Sequence, residues 1–101
     1  MGDTLRITSE KSAYTMTDRA TYLALKDTLD LDILFQGDKA LLNIYHVITV
    51  NPDKWTNLNY EGGKAFADWL VTKEVQQFIE SFGVEEFGEP LFFPDAGKPE
   101  Y

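Results

Sequence analysis

Residues 41–50 (LLNIYHVITV) restrict the possible folds of this chain more than any other stretch. Apolar and β-branched side chains fill both alternating sets of positions, so a strand built from them would be apolar on both faces. Such a strand is stable only when it is covered on both sides. We therefore predict that these residues form a strand inside a sheet.

A second stretch has the pattern of a half-buried strand. In residues 31–36 (LDILFQ), Leu31, Ile33 and Phe35 would share one face, and Asp32 and Gln36 would point to the other. Residues 37–40 (GDKA) then have the composition and length of a hairpin connection. A short strand over residues 13–16 completes the predicted sheet.

Helical signals surround these strands. For residues 3–11 the N-cap and the charged end favour a short helix, although Leu5 and Ile7, two positions apart, also suit a strand. We predict another helix over residues 19–26. Residues 60–82 carry two apolar stripes that are out of phase in the helical repeat, which predicts two helices or one kinked near Thr72. Gly83 suits the C-terminal end of that region. The predicted fold class is α/β: a small mixed sheet with helices packed on it, in one domain over residues 1–96, with residues 97–101 as a frayed tail.

Size and charge exclude several functions. A chain of 101 residues is long enough for one compact domain, and its formal net charge of -8 argues against nucleic acid or an anionic membrane as partner. It has no cysteine, which excludes disulfides and thiolate chemistry. We expect no membrane insertion and no signal peptide, because no apolar run is long enough to span a bilayer and the first residues are polar. A small anion remains compatible, since local dipoles can hold one in an acidic protein.

The junction near Thr17 is the candidate anion site. A strand over residues 13–16 that runs into a helix would point free backbone N–H groups out of the sheet, and Thr17 or Asp18 is a good N-cap. The hydroxyls of Thr15 and Thr17, with Arg19 beside them, are suitable oxyanion donors. The simpler alternative is an ordinary capped helix whose Arg19 is solvated or paired with Asp18.

Other chemistry has little support. His46 is the single histidine, and no serine, cysteine or second histidine is placed for a catalytic triad or a metal site. Asp30 and Asp32 could share one strand face as an acid–base pair, but such carboxylates are usually solvated. We expect a binding protein rather than an enzyme.

Four blocks of sequence resemble the tungstate-binding proteins, the extracytoplasmic receptors of tungstate ABC transporters. In chain order they are residues 13–24 (AYTMTDRATYLA), 41–52 (LLNIYHVITVNP), 61–70 (EGGKAFADWL) and 82–96, which contain EPLFFPDA. Two departures stand out: Ile44 replaces an expected proline, and Thr72-Lys73-Glu74-Val75-Gln76 replaces the Ser-Pro-Glu-Ala-Gln of the wider superfamily.

The resemblance implies a partial periplasmic-binding-protein type II-like fold. It matches the C-terminal part of a two-lobed receptor, so the expected partners are the missing first lobe and an ABC transporter permease, and the expected location of the full-length parent is periplasmic or extracytoplasmic. The ligand would be tungstate or molybdate, with no cofactor. The residues implied to line the cleft are these: Tyr14, Thr15, Thr17, Asp18 and Arg19.

With one lobe absent, the resemblance implies weak or no oxyanion binding by this chain alone. Arg19 would either contact the anion or brace the loop through Asp18. The alternative function is a protein-interaction or regulatory α/β domain without a small-molecule ligand. Self-association is then expected, because the surface that a first lobe would cover is apolar.

Overall fold

Helices joined by segments without regular structure make up the described part of the chain. A computed structural model describes residues 1–99. The five α-helices are α1 (Gly2–Glu10), α2 (Arg19–Leu25), α3 (Tyr60–Leu70), α4 (Lys73–Ser81) and α5 (Val84–Phe87), and two 3-10 turns span Lys26–Thr28 and Lys39–Leu41. No strand forms within residues 1–99. The predicted α/β class with its small mixed sheet is therefore wrong for this chain.

The first two helices pack against each other. Leu5 of α1 is 2% exposed and Leu23 of α2 is buried, so each of the two packed helices contributes one buried leucine. Thr8 is also buried, and its hydroxyl is satisfied because it donates to the Thr4 carbonyl at 2.7 Å. The helix predicted over residues 3–11 is thus confirmed.

The chain after α2 folds back on this pair. The Asp30 amide donates to the Ser9 hydroxyl at 2.8 Å, and the Tyr22 hydroxyl donates to the Leu31 carbonyl at 3.1 Å. These bonds connect residues far apart in sequence, so α1, α2 and the start of the following segment form one unit.

The break predicted near Thr72 is confirmed. Thr72 lies between α3 and α4, where its hydroxyl donates to the Trp69 carbonyl at 2.7 Å and accepts the Val75 amide at 3.4 Å. Val75 is the buried apolar residue of α4. A side-chain cap at this point explains why the two apolar stripes lie on two separate helices.

The C-terminal segment is docked on α4. Gly83 has a φ of 86°, as the predicted helix-ending glycine requires, and the Leu91 amide then donates to the Phe82 carbonyl at 3.2 Å. Further on, the Gln76 side-chain oxygen accepts the amides of Asp95 and Ala96 at 3.1 Å each. Part of the predicted tail, residues 100–101, lies outside the described residues.

The residues of the three predicted strands have no regular secondary structure, apart from Leu41 in the second 3-10 turn. In residues 42–50, Ile48 is 84% exposed, and in residues 13–16 Tyr14 is 86% exposed. The radius of gyration is 17.5 Å, whereas a compact chain of this length has about 13 Å. Alternating apolar residues suit a strand, but a strand also needs a neighbour to accept its hydrogen bonds. Residues 1–99 do not provide that neighbour, which is why the prediction failed.

Candidate functional site

The five candidate residues lie in the connection between α1 and α2 and at its end. Tyr14 and Thr15 are exposed, whereas Thr17, Asp18 and Arg19 are half-buried against the body of the chain. The connection has no regular structure, so the predicted strand does not position these residues. Their local hydrogen bonds and one long-range ion pair do.

Asp18 is the N-cap of α2, one of the two predicted possibilities. Its carboxylate accepts the Thr21 amide at 2.9 Å, and the Thr21 hydroxyl donates to both carboxylate oxygens at 2.8 and 2.9 Å. The bond from the Thr21 backbone stabilises the ionised form and lowers the pKa of Asp18. The helix start therefore already holds a negative charge of its own, which would repel an oxyanion placed directly on the helix axis.

Arg19 has a partner that the sequence did not suggest. Its Nη1 donates to Oε1 of Glu89 at 2.7 Å, and its Cζ lies 5.5 Å from the ring centroid of Phe93. Arg19 is thus paired with Glu89 and not with Asp18. Glu89 and Phe93 belong to the fourth block of the resemblance, but no spacing rule connects residues 70 positions apart. The hint available from the sequence was that Arg19 and Glu89 both lie in blocks of the resemblance.

Thr17 carries the unpaired polar atom of the site. Its hydroxyl oxygen is buried, and it has no hydrogen-bond partner within residues 1–99. Leaving a buried hydroxyl without a partner costs about 1–3 kcal/mol. Thr17 is therefore the residue of the candidate loop whose side chain has an unused hydrogen-bonding capacity.

The described part of the chain does not bring side chains together for acid–base catalysis or for metal binding. Asp30 and Asp32 are both exposed, so they do not converge in a pocket. No group of three or more His, Asp or Glu side chains within residues 1–99 could hold a metal ion. None of the helices described is long and apolar enough to cross a membrane.

Comparison with known proteins identifies what the chain is similar to. A family model described as a PBP superfamily domain matches residues 1–74. The tungstate-binding protein TupA of Peptoclostridium acidaminophilum is 49% identical over 97% of this chain, and that of Campylobacter jejuni is 34% identical over 91%. A Haloferax volcanii protein, provisionally named an ABC transporter anion-binding protein, is 42% identical over 95% of the chain. The resemblance to tungstate-binding proteins is therefore confirmed.

The match covers only part of each relative. The chain spans 34%, 29% and 35% of the lengths of the Peptoclostridium, Haloferax and Campylobacter proteins, respectively. No solved structure matches this chain.

Proposed function

The chain belongs to the PBP superfamily, and from that premise we propose that it forms part of an extracytoplasmic oxyanion receptor of an ABC transporter, with tungstate or molybdate as ligand. The observation that carries this proposal is the similarity, over nearly the whole chain, to a protein named for binding tungstate. The function is capture and delivery to a permease, without a chemical reaction.

The geometry supports a division of labour among the candidate residues. The unpaired Thr17 hydroxyl is the first donor to the oxyanion, and the exposed Tyr14 and Thr15 are close to it in sequence. Asp18 and Arg19 shape the loop through Thr21 and Glu89 instead of donating to the ligand. Hydrogen bonds to a charged group contribute about 1.5–3 kcal/mol each, so a few hydroxyls hold a dianion only weakly.

A complete site needs a complementary polypeptide. The relatives are about three times as long as this chain, and residues 42–50, predicted as a strand, have no strand partner within residues 1–99. A first lobe would supply the remaining anion donors and the strands that pair with this segment. Alone, the chain therefore binds tungstate weakly or not at all.

Calorimetry with sodium tungstate tests the proposal. The chain alone should show no submicromolar binding, and tight binding should appear when the remaining two thirds of the Peptoclostridium protein is added in trans. Thr17→Val should then weaken binding by about tenfold, the equivalent of one lost hydrogen bond, while the matched control Thr56→Val in an exposed bend should not. Submicromolar binding by the chain alone would contradict the incomplete site, and no binding in the mixture would contradict the proposed ligand.

A second function has its own supporting observation. Large apolar side chains such as Leu34, Phe35 and Ile48 are exposed, and contiguous exposed apolar surface is typical of protein contacts. This favours a protein-interaction role in which the chain associates with another copy or another protein. Light scattering separates the two: an average mass that rises with concentration favours interaction, and a monomer that binds oxyanion favours the receptor.

A further inference from the structure

Two separate blocks of the sequence meet at one side chain. Arg19, the first residue of α2, is bound by Glu89 through a 2.7 Å ion pair and lies 5.5 Å from the ring centroid of Phe93. The Arg19 and Glu89 side chains are 32% and 44% exposed, so both are partly shielded from solvent. A cation held by a carboxylate and an aromatic face has less freedom than a solvated arginine.

Glu89 is presented from an anchored segment. Two residues beyond it, the Leu91 amide donates to the Phe82 carbonyl, and the amides of Asp95 and Ala96 donate to the Gln76 side chain. Gln76 in turn donates to the Leu70 carbonyl at 3.0 Å. The carboxylate that meets Arg19 is therefore connected to the ends of α3 and α4.

Arg19 transmits this anchoring to the candidate loop. It directly follows Asp18, the N-cap of α2, and Thr17 with its unpaired hydroxyl comes immediately before that cap. Backbone at three consecutive positions cannot move independently, so holding Arg19 limits where the Thr17 hydroxyl can be. The loop itself contains no regular structure that would do this.

We propose that Glu89 is a positioning residue for the candidate anion loop and that it acts through Arg19, with Phe93 behind the guanidinium. Glu89 does not contact the oxyanion, because its negative charge would repel it. The relevance of this contact to ligand binding rests on the proposed function, whereas the contact itself can be tested without any ligand.

Amide hydrogen exchange in the full 101-residue chain is the first test. The Thr21 amide, bonded to Asp18, reports the order of the loop and the helix start. In Glu89→Ala it should exchange at least about tenfold faster than in the parent chain. The matched control Glu86→Ala removes an equal charge from an exposed site on α5 and should leave the Thr21 rate unchanged. The exchange rate of the Val75 amide should be unchanged in both variants.

Rescue by a conservative variant separates positioning from charge. Glu89→Gln keeps an acceptor oxygen for Arg19, so the Thr21 amide should exchange within about threefold of the parent rate. Equal Thr21 rates in Glu89→Ala and Glu86→Ala would overturn the proposal. Loss of Val75 protection in Glu89→Ala would make Glu89→Gln the deciding variant: a parent-like rate supports positioning, and a fast rate overturns it.

Addition of sodium tungstate distinguishes this proposal from the proposed function. With the complementary part of the Peptoclostridium protein present, Glu89→Ala should bind tungstate at least about tenfold more weakly than Glu86→Ala. If no variant binds tungstate while the exchange result holds, the ligand assignment fails and the positioning contact stands. If the affinities are equal, the contact orders the loop without serving the ligand, which overturns the functional part of the inference.

Discussion

The α1–α2 unit and residues 42–50 differ in how well their apolar side chains are buried. In the α1–α2 unit, each apolar face has a partner, and Leu5 and Leu23 are buried. Residues 42–50 are the more apolar of the two in sequence, yet Tyr45 and Ile48 are largely exposed. The ring of Tyr45 meets that of Phe92 edge-on, with centroids 6.1 Å apart.

The difference follows from where each element finds its hydrogen bonds. A helix satisfies its backbone within the segment, so a short amphipathic helix needs only one apolar neighbour. A strand must bond to other strands, and one that is apolar on both faces also needs cover above and below. Local sequence can complete the first kind of element, while the second kind depends on the rest of the protein.

Leu5→Ala is expected to lower the free energy of unfolding more than any other substitution considered for the two regions. It removes the most buried apolar side chain of the α1–α2 unit, so the free energy of unfolding should fall by about 2–4 kcal/mol. Urea denaturation followed by far-UV circular dichroism measures it. The control Ile7→Ala, 46% exposed on the same helix, should cost under about 1 kcal/mol. Equal losses for the two variants would mean that α1 does not pack as described.

Gly83→Ala asks whether the C-terminal region is as well packed as the α1–α2 unit. Gly83 has a φ of 86°, and an added Cβ would lie 2.7 Å from Cγ of Leu91. The variant should lose about 2 kcal/mol of unfolding free energy, from backbone strain plus the clash. Gly88→Ala has a similar φ of 80° with nothing within 4 Å, so it should lose only about 1 kcal/mol. If the two losses match, Leu91 is not docked against Gly83.

Asp18→Ala tests the start of α2, where the packed unit meets the candidate site. Loss of the N-cap should cost about 1 kcal/mol of unfolding free energy, and Asp18→Asn, which can still cap, should cost less. The pKa of Asp18 is lowered in the folded chain by the hydrogen bond from the Thr21 backbone. The contribution of Asp18 to the free energy of unfolding is therefore present above pH 3.8, and it is lost as the pH falls through the lower folded-state pKa. Urea titrations from pH 6 to about pH 2 should show this acid loss in the parent and not in Asp18→Asn; the same loss in both would contradict the capping role.

Much of this outcome could be predicted from local sequence. The break at Thr72 and the N-cap at Asp18 were predictable because a side-chain cap acts on amides a few residues away. The pairing of residues 42–50 was not, since it depends on strands that no local pattern specifies. At the candidate site, the loop residues were proposed from their hydroxyls and stay a prediction, whereas the Arg19–Glu89 pair joins residues that only the tertiary fold brings together.

Ile48→Thr, in the exposed segment of residues 42–50, should change the free energy of unfolding least. Ile48 is 84% exposed, so the free energy of unfolding of the chain alone should change by no more than about 0.5 kcal/mol. In the presence of the complementary part of the Peptoclostridium protein, the same variant should weaken association of the two parts. A large loss in the isolated chain would mean that this segment is already packed.

Hydrogen exchange along the isolated monomer tests directly whether residues 43–50 lack strand partners within the chain. We predict that the amides of residues 43–50 exchange at nearly the rates of an unstructured peptide, while the Leu23 amide inside α2 and the Val75 amide, which donates to the Thr72 cap, are protected. Protection of residues 43–50 comparable to that of the helices, in a sample shown to be monomeric, would contradict it, because these residues would then have found strand partners within the chain itself.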